Sequence, residues 1–151
     1  MTVKFEKSAG AVIFREEFGE KKFLLLHYPS MAHRSKKDYW DYVKGHVEKD
    51  ENGPDTVVRE AEEETGIKDL EFAPGFRVSM KYFFRCKSNL IFKVVDFWLA
   101  KTQTAAVRLS GEHNDFTWLS YKEAYEMLSF KNAKEVLKKA NDFLQKNEKI
   151  S

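Results

Sequence analysis

At 151 residues, 42% of them hydrophobic and 15% aromatic, the chain is expected to form one domain spanning 1–151 with a sizeable core, which excludes a disordered or low-complexity role. A net charge of +2 from 26 basic and 24 acidic residues argues against a polybasic nucleic-acid footprint, and no apolar run is long enough to cross a bilayer. Cys86 is the sole cysteine, so no internal disulfide forms. With no signal-peptide core near Met1, a monomer in a reducing cytoplasm is the simplest expectation.

In chain order, Ser8 to Phe14 alternates small and apolar residues and reads as a strand. Lys22 to Tyr28, with its Phe-Leu-Leu-Leu run, reads as a buried strand beside it, joined by a turn over Glu16 to Lys21. Ser30 to Asp38 is polar and reads as a surface loop, with His33 in it. Tyr39 to Lys44 is short and aromatic and leads to Gly45. Pro54 suits a first helical turn, so a helix is predicted over Pro54 to Thr65, with Val57, Val58 and Ala61 as its apolar stripe and Gly66 as its cap. Strands are predicted over Phe76 to Arg85, Leu90 to Ala100 and Phe116 to Leu119. Amphipathic helices are predicted over Tyr121 to Leu128 and Ala133 to Phe143, with Phe130 between them. This pattern predicts an α/β fold in which a mixed sheet packs between helices. Cys86 is expected to be a buried structural thiol.

The informative stretch runs from Gly45 to Ile67. Glu60, Glu63 and Glu64 stand at i, i+3 and i+4, which puts three carboxylates on one helix face. Like charges at that spacing repel by a few tenths of a kcal/mol per pair. An isolated Glu run is most simply a solvated helix face. A hard divalent cation is the functional alternative, because such ions take oxygen ligands. Bound beside a polyphosphate, it would shield the phosphate oxygens and activate water, with a neighbouring Glu taking the proton.

The spacing decides between them. Gly45, five residues, Glu51, seven residues, Arg59-Glu60-Ala61, one residue, Glu63-Glu64, one residue, Gly66-Ile67 resembles the Nudix box, here residues 45–67, without a gap. The resemblance implies the Nudix-type αβα sandwich with its curved mixed sheet, and a loop–helix–loop site for Mg2+, with Mn2+ as an alternative. It implies metal contacts from the Gly45 carbonyl, Glu60, Glu63 and Glu64. Arg59 would hold a box carboxylate in place, Glu51 would support the loop and His46 would shape it.

Beyond the box, Ser8-Ala9-Gly10, Lys44-Gly45-His46-Val47-Glu48, Gly75-Phe76, Leu109-Ser110-Gly111-Glu112-His113 and Trp118-Leu119 are similar to the asymmetric diadenosine tetraphosphate hydrolases. That resemblance implies a small nucleoside polyphosphate as substrate, and catalytic roles for Glu63, Glu60, Arg59 and Glu112, the last also a metal contact. Lys44 and Lys81 would meet phosphate. Tyr82 and Phe130 would clamp adenine, although each is also a plausible core filler. Tyr39-Trp40 stands where these enzymes commonly have His before the tryptophan, Val43 stands where they have proline, and Phe83 to Lys93 is longer than in the animal enzymes. These departures leave the metal chemistry untouched and the choice of polyphosphate open. A nucleoside triphosphate, a 5′-triphosphate RNA end and an inositol pyrophosphate all suit the same site. A Nudix-fold binding module is the alternative of another class, disfavoured by the intact carboxylates.

Overall fold

The computed structural model describes residues 2–29, 37–113 and 115–150. Residues 30–36, including His33 and most of the expected polar loop, lie outside them. In chain order the elements are β1 (Thr2–Glu17), β2 (Glu20–Tyr28), β3 (Tyr39–Asp41), β4 (Val43–His46), α1 (Gly53–Thr65), β5 (Glu71–Phe72), β6 (Val78–Cys86), β7 (Asn89–Lys101), β8 (Asp115–Leu119), α2 (Tyr121–Met127) and α3 (Lys131–Ile150).

Strand β1 organises the sheet. Along one edge it pairs in parallel with β7, from Thr2 opposite Asn89 to Phe14 opposite Lys101. Along the other edge it takes two antiparallel partners in turn: β4 over Ser8–Ala11 and β2 over Phe14–Glu17. Strand β2 continues outward to β3 and β8, and β7 to β5 and β6.

Both faces of this mixed sheet are covered. Side chains alternate across a strand, so Val12 and Phe14 of β1 join Phe23 and Leu25 of β2 under Ala124, Val136, Leu137 and Ala140 of α2 and α3. Ala9, Ala11 and Ile13 join Leu24 and Leu26 under Val57 and Ala61 of α1. The result is the expected αβα sandwich.

Several bounds differ from expectation. Strand β1 starts at Thr2 rather than Ser8, because β7 continues to pair with a segment whose Val3 and Phe5 are exposed. Tyr39 to Lys44 is broken at Tyr42, whose buried hydroxyl donates to the Ala133 carbonyl while its own carbonyl accepts from the Tyr28 hydroxyl. The short β5 pairs with the end of β7 and carried no periodicity signal. Val58 is 43% exposed and does not belong to the apolar stripe, since it stands about 100° around the helix from the buried Val57. Cys86, at the end of β6, is only partly buried.

Candidate active site

Helix α1 carries most of the site, and its ends are fixed locally. The Asn52 side chain accepts from the Asp55 backbone N–H (2.8 Å), and the Asp55 carboxylate accepts from the Asn52 N–H (3.2 Å), a reciprocal cap. Gly66 ends the helix in the left-handed region at φ 77°, where a side chain would be strained.

Arg59 ties the preceding loop to the helix. Its Nε and Nη2 donate to the two Glu51 oxygens at 2.7 and 3.0 Å. Nη2 also donates to the His46 carbonyl at 3.0 Å, and Nη1 reaches Glu60 at 2.8 Å and Glu63 at 3.4 Å. Glu51 further accepts from Thr56 Oγ1 and the Glu48 N–H. These bonds, the Arg59 guanidinium foremost, pull the Glu51 carboxyl down to about 2. In return, Glu51 and Glu60 hold Arg59 above the ordinary arginine value, against the partial burial that opposes it.

Gly45 sits in β4 opposite Ala9, with Glu60 packed over its Cα. A Cβ there would fall 2.2 Å from the Glu60 Cδ and Oε1. Gly45→Ala therefore has to push the Glu60 carboxylate aside, which a flexible side chain can do without unfolding the sheet. We expect Gly45→Ala to keep its melting temperature within a few degrees while turnover drops about 100-fold, the scale of a 1 Å misplacement. Turnover equal to the parent would show that Glu60 need not stay where it is.

Glu64 is the most perturbed acid. It is buried, and Oε2 has no hydrogen-bond partner. Burial, then the charges of Glu60 and Glu112, raise its pKa to about 9; Glu60 lies near enough to contribute without completing a hydrogen bond to Oε2. Burial also raises Glu60, which Arg59 only partly offsets. The last turn of α1 holds no basic residue, so Glu62, Glu63 and Glu64 crowd the negative end of the helix dipole. Glu112 lies on the loop before β8, exposed, and its charge is felt by both Glu60 and Glu64.

This donor set suits a hard divalent cation. It offers crowded carboxylates, an orphaned buried oxygen and the Gly45 backbone alongside Glu60. Among the described residues, no three His, Cys, Asp or Glu side chains already converge at ligand distance; Arg59 counters Glu60 and Glu63 instead.

Alternation along β4 sends Lys44 to the face opposite Gly45. Lys44 pairs with Asp41 at 2.8 Å, its side chain 23% exposed. Burial would lower its pKa, but Asp41 outweighs burial and holds the ammonium charged. Tyr39 and Tyr82 both feel the Lys44 charge, and Phe130 packs on Tyr39 at 5.0 Å between ring centroids. Tyr82 is half-buried on β6, and the Asn132 side chain lies near its hydroxyl. Lys44, Tyr82 and Phe130 are thus gathered around Asp41 and Tyr39. Lys81, exposed, takes the opposite face of β6 from Tyr82 and is not brought to them. Asp41 escaped the sequence reading, and Tyr39 entered it only as a departure from the family pattern; the signal for Asp41 would have been the three-residue spacing of an acid before Lys44.

The NUDIX domain model matches residues 4–140. The chain belongs to the Nudix family. Among curated Nudix relatives, it is 36% identical over 148 residues to the bis(5′-nucleosyl)-tetraphosphatase (asymmetrical) of Mus musculus, covering 91% of this chain and 95% of that one. The enzyme of the same name from Caenorhabditis elegans is 30% identical over 139 residues, covering 91% and 96%. Among solved Nudix structures, the C. elegans Ap4A hydrolase binary complex superposes with a TM-score of 0.78 at 30% identity, covering 93% and 98%. The fold and the hydrolase class of this Nudix chain follow from these matches. No helix of the described residues is long and apolar enough to cross a membrane.

Proposed function

We propose that this Nudix hydrolase cleaves diadenosine tetraphosphate asymmetrically, to ATP and AMP, acting as a cytoplasmic monomer with Mg2+ (Mn2+ substituting). The observation that carries the proposal is the register of β4. Gly45 turns toward Glu60 and the carboxylates, while its neighbour Lys44 turns the other way, pairs with Asp41 and acts by its charge on Tyr39 and Tyr82. One peptide bond therefore joins a set of cation donors to a cationic, aromatic surface of the kind that takes phosphate and a base. The names of the relatives point to the same substrate.

When bound, a divalent cation supplies charge neutralisation along the polyphosphate and orients in-line attack. The chain supplies the rest. Water attacks the phosphorus at one end of the bridge and the P–O bond to the remaining triphosphate breaks. Glu60, Glu63, Glu64, Glu112 and the Gly45 carbonyl hold the cation. Glu63 or Glu60 accepts the proton of the attacking water, the close carboxylates titrating as a set. Arg59 keeps Glu60 in place, and Lys44 binds phosphate as a cation held charged by Asp41. Tyr82 and Phe130 stack on adenine, and Lys81, on the opposite face of β6, takes no part.

Product chromatography tests the proposal. The purified protein with Mg2+ is given diadenosine tetraphosphate, ATP, dihydroneopterin triphosphate or triphosphorylated RNA, each alone. ATP plus AMP from the dinucleotide, with the others slow, is expected. Turnover of another substrate without dinucleotide cleavage would discard the proposal while leaving the family intact. Stacking is worth about 1–3 kcal/mol per base, so Tyr82→Leu should raise KM for the dinucleotide roughly 10-fold while kcat changes little, the mark of lost uniform binding. Steady-state kinetics giving an unchanged KM would remove Tyr82 from substrate contact.

A further inference from the structure

The loop before β8 brings two adjacent residues to the end of α1. Glu112 is exposed and acts on Glu64 through its charge. His113 is buried, with Nε2 3.7 Å from Glu64 Oε1 and no exposed side-chain surface. The loop is stitched to the helix: the Ser110 N–H donates to the Glu64 carbonyl (3.2 Å) and the His113 N–H to the Ser110 carbonyl (3.3 Å). Ser110 Oγ stands 3.3 Å from His113 Nδ1. The imidazole also packs edge-on against Tyr28, centroids 4.4 Å apart, and the Tyr28 hydroxyl is anchored on the Tyr42 carbonyl.

We infer that His113 is a positioning residue, which steadies the Glu64 carboxylate for a divalent cation by backing Oε1 with the buried Nε2 edge of its ring and leaving Oε2 free to bind. The inference rests on reading Glu64 as a cation donor. With the Ser110 hydroxyl donating to Nδ1, the neutral ring carries its proton on Nε2, the nitrogen that faces Glu64. Tyr28 and the backbone stitches prevent the ring from turning away. At 3.7 Å the approach of Nε2 to Oε1 is longer than a hydrogen bond, so in the metal-free chain the imidazole backs Oε1 without bonding it, while Oε2 has no hydrogen-bond partner. Groups that orient a liganding side chain in this way change metal affinity by about 10- to 100-fold when removed.

The test is Mn2+ binding to the full chain by titration calorimetry without substrate, with melting temperatures alongside. His113→Leu keeps bulk and removes the donor; His113→Gln keeps an N–H near the Nε2 position. We expect His113→Leu to weaken Mn2+ binding about 10- to 100-fold and His113→Gln to recover most of it. In a Glu64→Gln background, His113→Leu should cost nothing further, because the imidazole acts through that carboxylate. A folded His113→Leu protein with parental affinity, or an equal loss in both backgrounds, would overturn the inference. Should His113→Leu fail to fold, Ser110→Ala decides: about 3- to 10-fold weaker binding supports the inference and parental affinity overturns it. If Glu64→Gln alone binds Mn2+ like the parent, the cation assignment of Glu64 has failed, which is a separate result.

Discussion

Glu64→Gln is expected to lose turnover by about 10²–10³-fold, the scale of removing one preorganised electrostatic group, while losing almost no stability at neutral pH. The reason lies in its protonation. Burial and the neighbouring carboxylates raise the Glu64 pKa from 4.5 to about 9 in the folded chain without metal, so glutamine is an isostere of the form already present. The sign follows from linkage. The folded state holds a proton that the unfolded state releases near pH 4.5, so this contribution to stability is whole below that pH. It shrinks as the pH rises and is gone above about 9. Melting temperatures of the metal-free parent should therefore fall across this window, and those of Glu64→Gln should fall less. Added Mg2+, which favours the ionised carboxylate, should stabilise the parent increasingly with pH and the variant far less. A flat parental profile, or a variant that still turns over, would mean that Glu64 has been misread.

Arg59→Lys is expected to lose function nearly as fully as Arg59→Ala. Arg59 makes a two-pronged contact with Glu51 and also holds the His46 carbonyl and Glu60. A lysine offers one compact charge in place of that planar fork, so it can serve one of these partners but not all. Turnover should fall about 100-fold in both variants as Glu60 and the loop after His46 loosen, with a melting temperature several degrees lower. The clearest readout is proteolysis at Glu48 to Glu51, which should speed up in both. If lysine restores turnover, only the charge of Arg59 matters and the fork does not.

How much of this was legible beforehand depended on whether the cause was local. Helix α1 could be read because its signals sit within a few residues of one another: Asn52 and Pro54 at the start, Gly66 at the end and the carboxylates at i, i+3 and i+4. The error at Val58 is of the same local kind, since adjacency to Val57 resembled a stripe although neighbours in a helix point about 100° apart. The pairing of Lys44 with Asp41, the break at Tyr42 and the placing of His113 against Glu64 could not be read. Each depends on contacts between elements that only the sheet register brings together. The first residues of β1 escaped for another reason: their side chains are exposed, and the evidence for a strand is its partner, β7. The long α3 likewise continues to Ile150, past Leu144, the last of its described residues packed on the core, so its end had no periodicity to announce it.

That pairing of β1 with β7 has a consequence for how the protein is made. The two strands lie about 90 residues apart in the chain yet form the centre of the sheet. At about 5–20 residues per second of synthesis, the first strand waits roughly 4–17 s for its mate to be polymerised. Throughout that delay Val12, Ile13 and Phe14 have no β7 to cover their open edge, a state prone to mispairing with other nascent chains. Ribosome-bound chains stalled before Asn89 should therefore be readily digested and chaperone-associated, and those stalled well beyond Lys101 should gain protection together at β1 and β7.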